Sequence, residues 1–212
     1  GLSPLQEAVR IENIDMVKLL VSLGADLAAN RSQGSSPLHV SVWMEKVDMV
    51  KLLVSLGADL SATNNQGDSP LHVSVRNRKL EVMKLLVSLG ANLSATNYKG
   101  DTPLHQAACK GRVDMVKLLV SLGADLSARN DKDDSPLSEA VCNGQLNMMK
   151  MLGSLDADFS GRNVKGDTPL HQAVCNGKVD MVKFLVSLGA DLSARNDKFY
   201  EFDNLKVIIH II

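Results

Sequence analysis

Four histidines and three cysteines are the residues of this chain whose spacing could support chemistry. Both sets recur at multiples of 33 residues, and their members are His39, His72, His105, His171, Cys109, Cys142 and Cys175. Imidazole is a common general base and metal ligand, and thiolates bind zinc or form disulfides. Side chains at equivalent places in successive copies of a unit cannot converge on one atom. We therefore predict no catalytic residue, metal site or cofactor.

The cysteines are predicted to be free thiols. Equivalent positions on packed helices lie about 8–10 Å apart, whereas a disulfide needs Cα atoms within about 7 Å. No C-x-x-C pair accompanies Cys109, Cys142 or Cys175. Free thiols persist in a reducing compartment, so we expect an intracellular protein, cytoplasmic or nuclear.

The elements that position these residues form one unit repeated six times. The unit is marked by prolines 33 residues apart: Pro4, Pro37, Pro70, Pro103, Pro136 and Pro169. We predict one domain over residues 1–198, with repeats at 1–33, 34–66, 67–99, 100–132, 133–165 and 166–198. Gly1 matches Gly34, so the chain begins at a repeat seam, and we expect it to be part of a longer protein.

Each unit predicts two helices and a loop. Ser36 before Pro37 is a helix start, because the hydroxyl accepts an orphaned amide and proline has no N–H to lose. Leu38, Ser41 and Val42 then share one face of a short helix. A second helix runs from about residue 48 to 56 and ends at a left-handed glycine such as Gly57. The Asn- and Gly-rich residues 64–68 predict a projecting hairpin loop.

Thr102-Pro103-Leu104-His105-Gln106-Ala107 matches the T-P-L-H-x-A motif, and with the 33-residue period the chain resembles an ankyrin-repeat domain. The resemblance implies an all-α repeat solenoid of helix-turn-helix units with projecting β-hairpin loops. It also implies that loop tips and first helices line a concave binding groove. His39, His72, His105 and His171 are then structural and tie the loop backbone to the helix start. Where Gln6 and Ser138 replace histidine, we expect less firmly tied junctions.

Composition narrows the classes of partner. The net charge is −1 and the pI about 6.6, which argues against a nucleic-acid surface. No run approaches the roughly 20 apolar residues of a membrane span, so no membrane insertion is expected. No phosphate-binding loop or hydrolase motif occurs. The sequence predicts a protein that is not an enzyme and that binds another protein or peptide.

Positions that differ between copies are free to face a partner, whereas positions repeated in every copy serve stacking. Trp43, Arg76 and Tyr98 are such positions, and their residue types often dominate binding energy. The predicted partner-binding set is Trp43, Met44, Val40, Arg76, Asn77, Val73, Tyr98 and Gln106. The alternative for Trp43 is that it merely covers a neighbouring helix.

A second set of charges also lies near the predicted loop tips. Its cations are Arg129, Arg162, Arg195, Lys132, Lys165 and Lys198. Asp101, Asp134 and Asp167 alternate with them, so we expect a solvated mixed face rather than a cradle for an acidic peptide.

Two segments depart from the pattern. Repeat five has Gly153 inside its second helix, at a cost of about 1 kcal/mol against alanine, and Asp156 in place of the helix-ending glycine. We expect this repeat to be less protected than its neighbours. Residues 199–212 are predicted to be an atypical tail that serves as a substitute cap, pairs with another chain, or reflects where the sequence stops.

The function predicted from the sequence is a non-catalytic scaffold that binds a protein through its concave groove. One alternative is a self-associating array whose uncapped ends stack or whose C-terminal tail pairs between chains. Another is the targeting module of a larger enzyme, channel or toxin.

Overall fold

The computed structural model describes residues 2–28 and 34–197. Within these ranges the chain forms twelve α-helices and no β-strand. The helices are α1 (Pro4–Arg10), α2 (Ile14–Ser22), α3 (Pro37–Trp43), α4 (Val47–Ser55), α5 (Pro70–Arg76), α6 (Leu80–Ser88), α7 (Pro103–Cys109), α8 (Val113–Ser121), α9 (Pro136–Cys142), α10 (Leu146–Gly153), α11 (Pro169–Cys175) and α12 (Val179–Ser187). The predicted all-α solenoid is confirmed as six consecutive helix pairs.

The first helix of each pair begins where the Ser/Thr-Pro dipeptide predicts. Ser36 has extended backbone, and its hydroxyl accepts the His39 amide, while proline stands at the first helical position of α3. Leu38, Ser41 and Val42 are fully buried, as their spacing predicts. The helix spans only seven residues, so its stability comes from packing rather than from intrinsic propensity.

The second helix of each pair ends at a residue with left-handed backbone. Gly57 has a φ of 94°, and Asp156 has a φ of 62° at the equivalent place in repeat five. Left-handed backbone costs a residue with a Cβ roughly 1–2 kcal/mol. Asp156 therefore carries a local penalty that glycine avoids.

Stacking of the first helices creates the core. Each of α1, α3, α5, α7 and α9 contacts the next first helix along the chain, and each packs on the second helix of its own pair. One continuous hydrophobic cluster runs through the stack and includes Leu38, Leu71, Leu104 and Leu137. The first helices consequently form a parallel row that carries the candidate site.

The projecting loops are closed turns. In the loop between repeats two and three, the Asn64 amide donates to the Asp68 carbonyl at 3.1 Å and the Gly67 amide to the Asn64 carbonyl at 2.9 Å. The next loop adds one backbone bond, from the Tyr98 amide to the Gln66 carbonyl at 3.2 Å. A single bond between neighbouring loops is too little for a strand ladder, so within the described ranges the predicted hairpins carry no strand.

Repeat five contains a substitution pair that the sequence analysis did not recognise. A Cβ at Gly153 would lie 2.5 Å from Cζ of Phe159. The other repeats have valine and leucine at these places, as in Val120 and Leu126. The Phe159 ring thus fills the space of the missing side chain and meets Phe184 of the next repeat edge to face, with ring centroids 6.4 Å apart. Gly153 is accommodated by packing.

The predicted tail at 199–212 lies outside the described residues, as does Lys198. Across residues 2–28 and 34–197, none of the helices has the length and apolar character to cross a bilayer.

Candidate functional site

Histidine side chains connect each loop to the next helix start. In repeat four, the backbone amide of Thr102 donates to Nδ1 of His105 at 3.2 Å, while Nε2 contacts the Asp134 carbonyl of the following loop at 3.0 Å. Because Nδ1 accepts, the proton lies on Nε2. His39 and His72 make the same two contacts, to the carbonyls of Asp68 and Asp101. These three histidines span the seam between repeats, in the role that the resemblance implied.

The two repeats without this histidine behave differently. Gln6 reproduces the connection, because its Oε1 accepts the Ser3 amide at 2.9 Å and its Nε2 donates to the Ser35 carbonyl at 2.5 Å. The expectation of a loose first junction is therefore wrong. Among the described residues, Ser138 contacts only Ser135, at 3.4 Å between hydroxyls, because its side chain is too short to cross the seam. His171 contacts Thr168 through Nδ1, like the other histidines.

A ladder of asparagine and aspartate side chains holds the loops in register. Asn97 Nδ2 donates to Asp68 Oδ1 at 3.0 Å, and its Oδ1 accepts the amides of Lys99 and Asp101. The same cross-loop bond recurs from Asn130, Asn163 and Asn196 to Asp101, Asp134 and Asp167. This ladder was not predicted, although the 33-residue spacing of its members is visible in the sequence. Asp134, predicted to lie on a solvated mixed face, is buried in the ladder.

Stability should fall in mild acid because of the histidines. Burial is the largest cause that lowers the pKa of His39, His72 and His105 below 6.5. The unfolded chain takes up these protons first, so the stabilisation is fully present above pH 6.5 and is lost as the pH falls toward the folded-state values. Urea unfolding followed stepwise downward from neutral pH should show a falling midpoint.

Two controls separate this effect from that of the carboxylates. Asp59 and Asp125 have pKa values that are lowered by hydrogen bonds from serine. Their protonation therefore reduces stability only below their ordinary pKa of 3.8. The His105→Gln variant should make the decline below pH 6.5 shallower. A midpoint that stays flat between neutral pH and the carboxylate range would contradict neutral buried histidines.

The cysteines lie on the same row of first helices and are free. Burial, followed by the charge of Glu139, raises the pKa of Cys109. Burial together with Asp134 and Glu139 raises the pKa of Cys142 to about 12. These thiols are therefore protonated and poorly nucleophilic at neutral pH. Among the described residues, no group of three His, Cys, Asp or Glu side chains is placed to hold a metal ion.

The predicted binding residues of repeats two and three divide into exposed and occupied side chains. Trp43 is 59% exposed and Tyr98 is 71% exposed. Val40 on the same helix and Met44, directly after its last residue, are half-buried. The Tyr98 ring lies against Gly67, where an added Cβ would come within 2.6 Å of Cδ1. The aromatic residues thus form an accessible surface on the first-helix and loop side.

The remaining predicted residues are held within the fold. Arg76 donates to Oδ2 of buried Asp68 at 2.6 Å and also contacts Gln66. Asn77 Nδ2 donates to the Val73 carbonyl at 2.9 Å. Val73 is 3% exposed and belongs to the hydrophobic core, so it offers almost no surface to a partner. Gln106, one repeat further along, is half-buried, and its Oε1 has no hydrogen-bond partner among the described residues.

Comparisons with known proteins identify the same repeat architecture. The family model for "Ankyrin repeats (3 copies)" matches residues 1–64, 57–130 and 122–196. A similar solved structure is the crystal structure of the ankyrin repeat domain of Bcl-3, described as a unique member of the IkappaB protein family. It is 32% identical, covers 93% of this chain and 90% of that chain, and has a TM-score of 0.82. No curated protein matches the chain.

Proposed function

The chain belongs to the ankyrin-repeat family, and from this premise we propose that it is a non-catalytic scaffold that binds another protein through its concave groove. Ankyrin repeats are in general protein–protein interaction modules and are typically non-catalytic. The groove is formed by the loop tips and the first helices. An intracellular location, cytoplasmic or nuclear, is part of the same proposal and is supported by the three free thiols.

Trp43 is the observation that carries the proposal. Its ring is exposed at the C-terminal end of α3, where burying it would remove one of the largest apolar surfaces of the chain from water. Tyr98 extends the accessible aromatic surface at the loop of the next repeat. Tryptophan and tyrosine are enriched among residues that dominate interface energy. Arg76 contributes less than the sequence suggested, because its guanidinium already neutralises Asp68.

Trp43→Ala should weaken the complex with the protein partner by about 2 kcal/mol, or roughly thirtyfold in Kd. The unfolding midpoint should barely change, since the ring is mostly outside the core. The partner is first captured from native lysate with the wild-type chain, and the purified pair is then measured by calorimetry.

Lys117→Ala is the matched control, because Lys117 is exposed on the second helix of its pair, away from the first-helix row. Arg76→Ala is not a clean test of binding, since it leaves Asp68 buried without its cation. If Trp43→Ala mainly unfolds the protein, the tryptophan has a core role. If binding survives the change, the interface lies elsewhere.

Self-association remains a second candidate because one end of the stack is apolar. Met16 on α2 is 42% exposed, whereas the equivalent Met49 on α4 is completely buried. Leu19 and Leu23 are also exposed on this end. Concentration-dependent light scattering distinguishes the two functions. A mass that stays monomeric at high concentration rejects the array. A mass that grows with concentration in the wild type, but not in the Met16→Gln and Leu19→Gln variants, supports stacking.

A further inference from the structure

The groove changes its chemistry between repeats three and four. At the position that Val40 holds on α3, the following first helices have Val73, Gln106, Glu139 and Gln172. The apolar residues of repeats two and three thus give way to side chains that present carbonyl and carboxylate oxygens. Because Val73 is buried, a partner that lies along the groove meets an apolar half formed by Val40 and Trp43 and a polar half that begins at repeat four.

The polar half contains hydrogen-bond acceptors without donors. Gln172 is 6% exposed, and its Nε2 donates to Asp134 Oδ1 at 2.6 Å. This bond fixes the amide orientation, and the buried Oε1 then has no partner in the described structure. Gln106 Oε1 is in the same condition. A buried acceptor without a donor is unfavourable, and a donor supplied by a partner would remove this cost.

Within the part of the chain that the structure describes, the carboxylates of Asp134 and Glu139 receive hydrogen bonds only from neutral groups. Asp134 Oδ1 accepts from the side-chain amides of Asn163, at 3.2 Å, and Gln172. Glu139 accepts from Asn130 at 3.3 Å and from Asn143 at 3.2 Å. Within residues 2–28 and 34–197, neither carboxylate forms an ion pair.

The charge on Glu139 is correspondingly unfavourable. Burial is the first cause that raises the pKa of Glu139, and the carboxylates of Asp101 and Asp134 raise it further. A cation placed among these oxygens would favour the ionised form of Glu139 and so offset both effects.

In repeat three, the carboxylate equivalent to Asp134 is paired with a cation of the chain itself. There the Arg76 guanidinium lies on Asp68. At the places equivalent to Arg76, the next three repeats have Cys109, Cys142 and Cys175. The short thiols leave a depression of about 440 Å³, whose lining includes Asp134, Asp167, Gln172, Cys142 and Cys175.

Extending the proposed function, on which this inference rests, we propose that the groove of repeats five and six binds an arginine side chain of the partner. Its guanidinium takes the place beside Asp134 that Arg76 takes beside Asp68. Arginine offers five N–H donors and no acceptor, which matches the side-chain oxygens of Asp134, Asp167 and Gln172 that line the depression. Hydrogen bonds from a cation to carboxylates are about twice as strong as neutral ones.

Two lysines at the rim oppose the incoming cation. Lys132 and Lys165 line the same depression and stand where Gln66 stands beside Arg76. Both are exposed, so their ammonium groups turn to solvent at low cost. Because the lysine charges repel any cation, the site favours a cation that donates several directed hydrogen bonds. A cation that is attracted by charge alone binds less well.

The test uses a blocked peptide with one arginine between glycines and a matched peptide with citrulline, which keeps the shape and removes the charge. Titration of the ¹⁵N-labelled chain by NMR should shift the side-chain amides of Gln172 and Asn163 with the arginine peptide and leave them in place with the citrulline peptide. Dissociation constants follow from the same titration.

Three variants make the assignment specific. Glu139→Gln should weaken the arginine peptide several-fold, because the charge of Glu139 interacts with Asp134 and so acts on a guanidinium bound beside it. The fold tolerates the change, because Gln106 and Gln172 hold the same position in adjacent repeats. Lys132→Gln should strengthen binding several-fold, and Asp48→Asn, on an exposed helix surface, should leave it unchanged.

Equal binding of the citrulline peptide, an unchanged Kd in Glu139→Gln, or no shift of the Gln172 and Asn163 amides would overturn the arginine site. These results are independent of Trp43. If the captured partner still depends on Trp43 while the arginine peptide does not bind, only this inference fails. If the arginine peptide binds in the groove while Trp43→Ala leaves the partner bound, the assignment of the interface to repeats two and three fails.

Discussion

His105→Ala should lower the free energy of unfolding by about 3 kcal/mol, because it leaves a buried donor unpaired, removes one of the two hydrogen bonds to a buried acceptor and opens a cavity. The donor is the Thr102 amide and the acceptor is the Asp134 carbonyl, on opposite sides of the seam between repeats four and five. Urea unfolding followed by circular dichroism measures the loss. Amide exchange should show that repeats five and six open before the rest of the stack.

The chain supplies its own matched variants for this test. His105→Gln should recover much of the loss, because Gln6 makes both contacts in repeat one. Ser138→His should add a bond across a seam that Ser138 cannot reach, and raise stability by about 1 kcal/mol. A His105→Gln variant as unstable as His105→Ala would show that the ring, rather than its two hydrogen bonds, is what the seam requires.

Gly153→Val should destabilise the protein by about 1–3 kcal/mol, although valine is the residue of the other repeats and forms helix better than glycine. The gain in helix propensity is only a few tenths of a kcal/mol, whereas forcing the Phe159 ring out of its place costs as much as overpacking in other cores. A Cβ at Gly153 would already lie 2.5 Å from that ring. Thermal and urea unfolding give the magnitude.

Adding Phe159→Leu should turn the loss of stability caused by Gly153→Val into a gain relative to either single variant. Phe159→Leu alone leaves a void beside Gly153 and loses the contact with Phe184. Combining Gly153→Val with Phe159→Leu restores the pair found as Val120 and Leu126, so the double variant should be more stable than either single one. Additive effects in this cycle would mean that the two positions do not interact.

Asp156→Gly is the local control for repeat five. Its left-handed φ of 62° is retained by glycine without strain, so this change should raise the midpoint by itself. The two irregularities of repeat five therefore differ in their effect on stability. Asp156 has a backbone penalty that remains, whereas Gly153 is already compensated by the Phe159 ring of the same repeat.

The repeat pattern determined the local structure, because the forces involved act within one unit. Ser36 and Pro37 start a helix through the hydrogen-bonding capacity of three or four adjacent residues, and Gly57 ends one through its own backbone freedom. The spacing of Leu38 and Val42 identifies the buried face for the same reason. Copying the unit in register then indicates a stack, since each helix has an apolar face that only a neighbouring copy can cover.

The tertiary structure decided which side chains are available for binding. Arg76 and Trp43 occupy equivalent positions, yet one is paired with buried Asp68 and the other is exposed. Val40 and Val73 are the same residue at the same position, and only Val73 is fully buried. Periodicity assigns equivalent residues to equivalent places, but the exposure of each one depends on neighbours that differ from copy to copy.

Contacts across the seams were also beyond the sequence pattern. Asn97 meets Asp68 from 29 residues away, and Phe159 packs on Phe184 of the following repeat. Such pairs join unlike positions of adjacent units, so their meeting depends on the rise and rotation from one unit to the next. The sequence by itself determined the helices, their capping and the stack, because these follow from local hydrogen bonding and apolar periodicity. Only the stacked structure decided which polar groups are satisfied, because burial and partners are set by the packing between units.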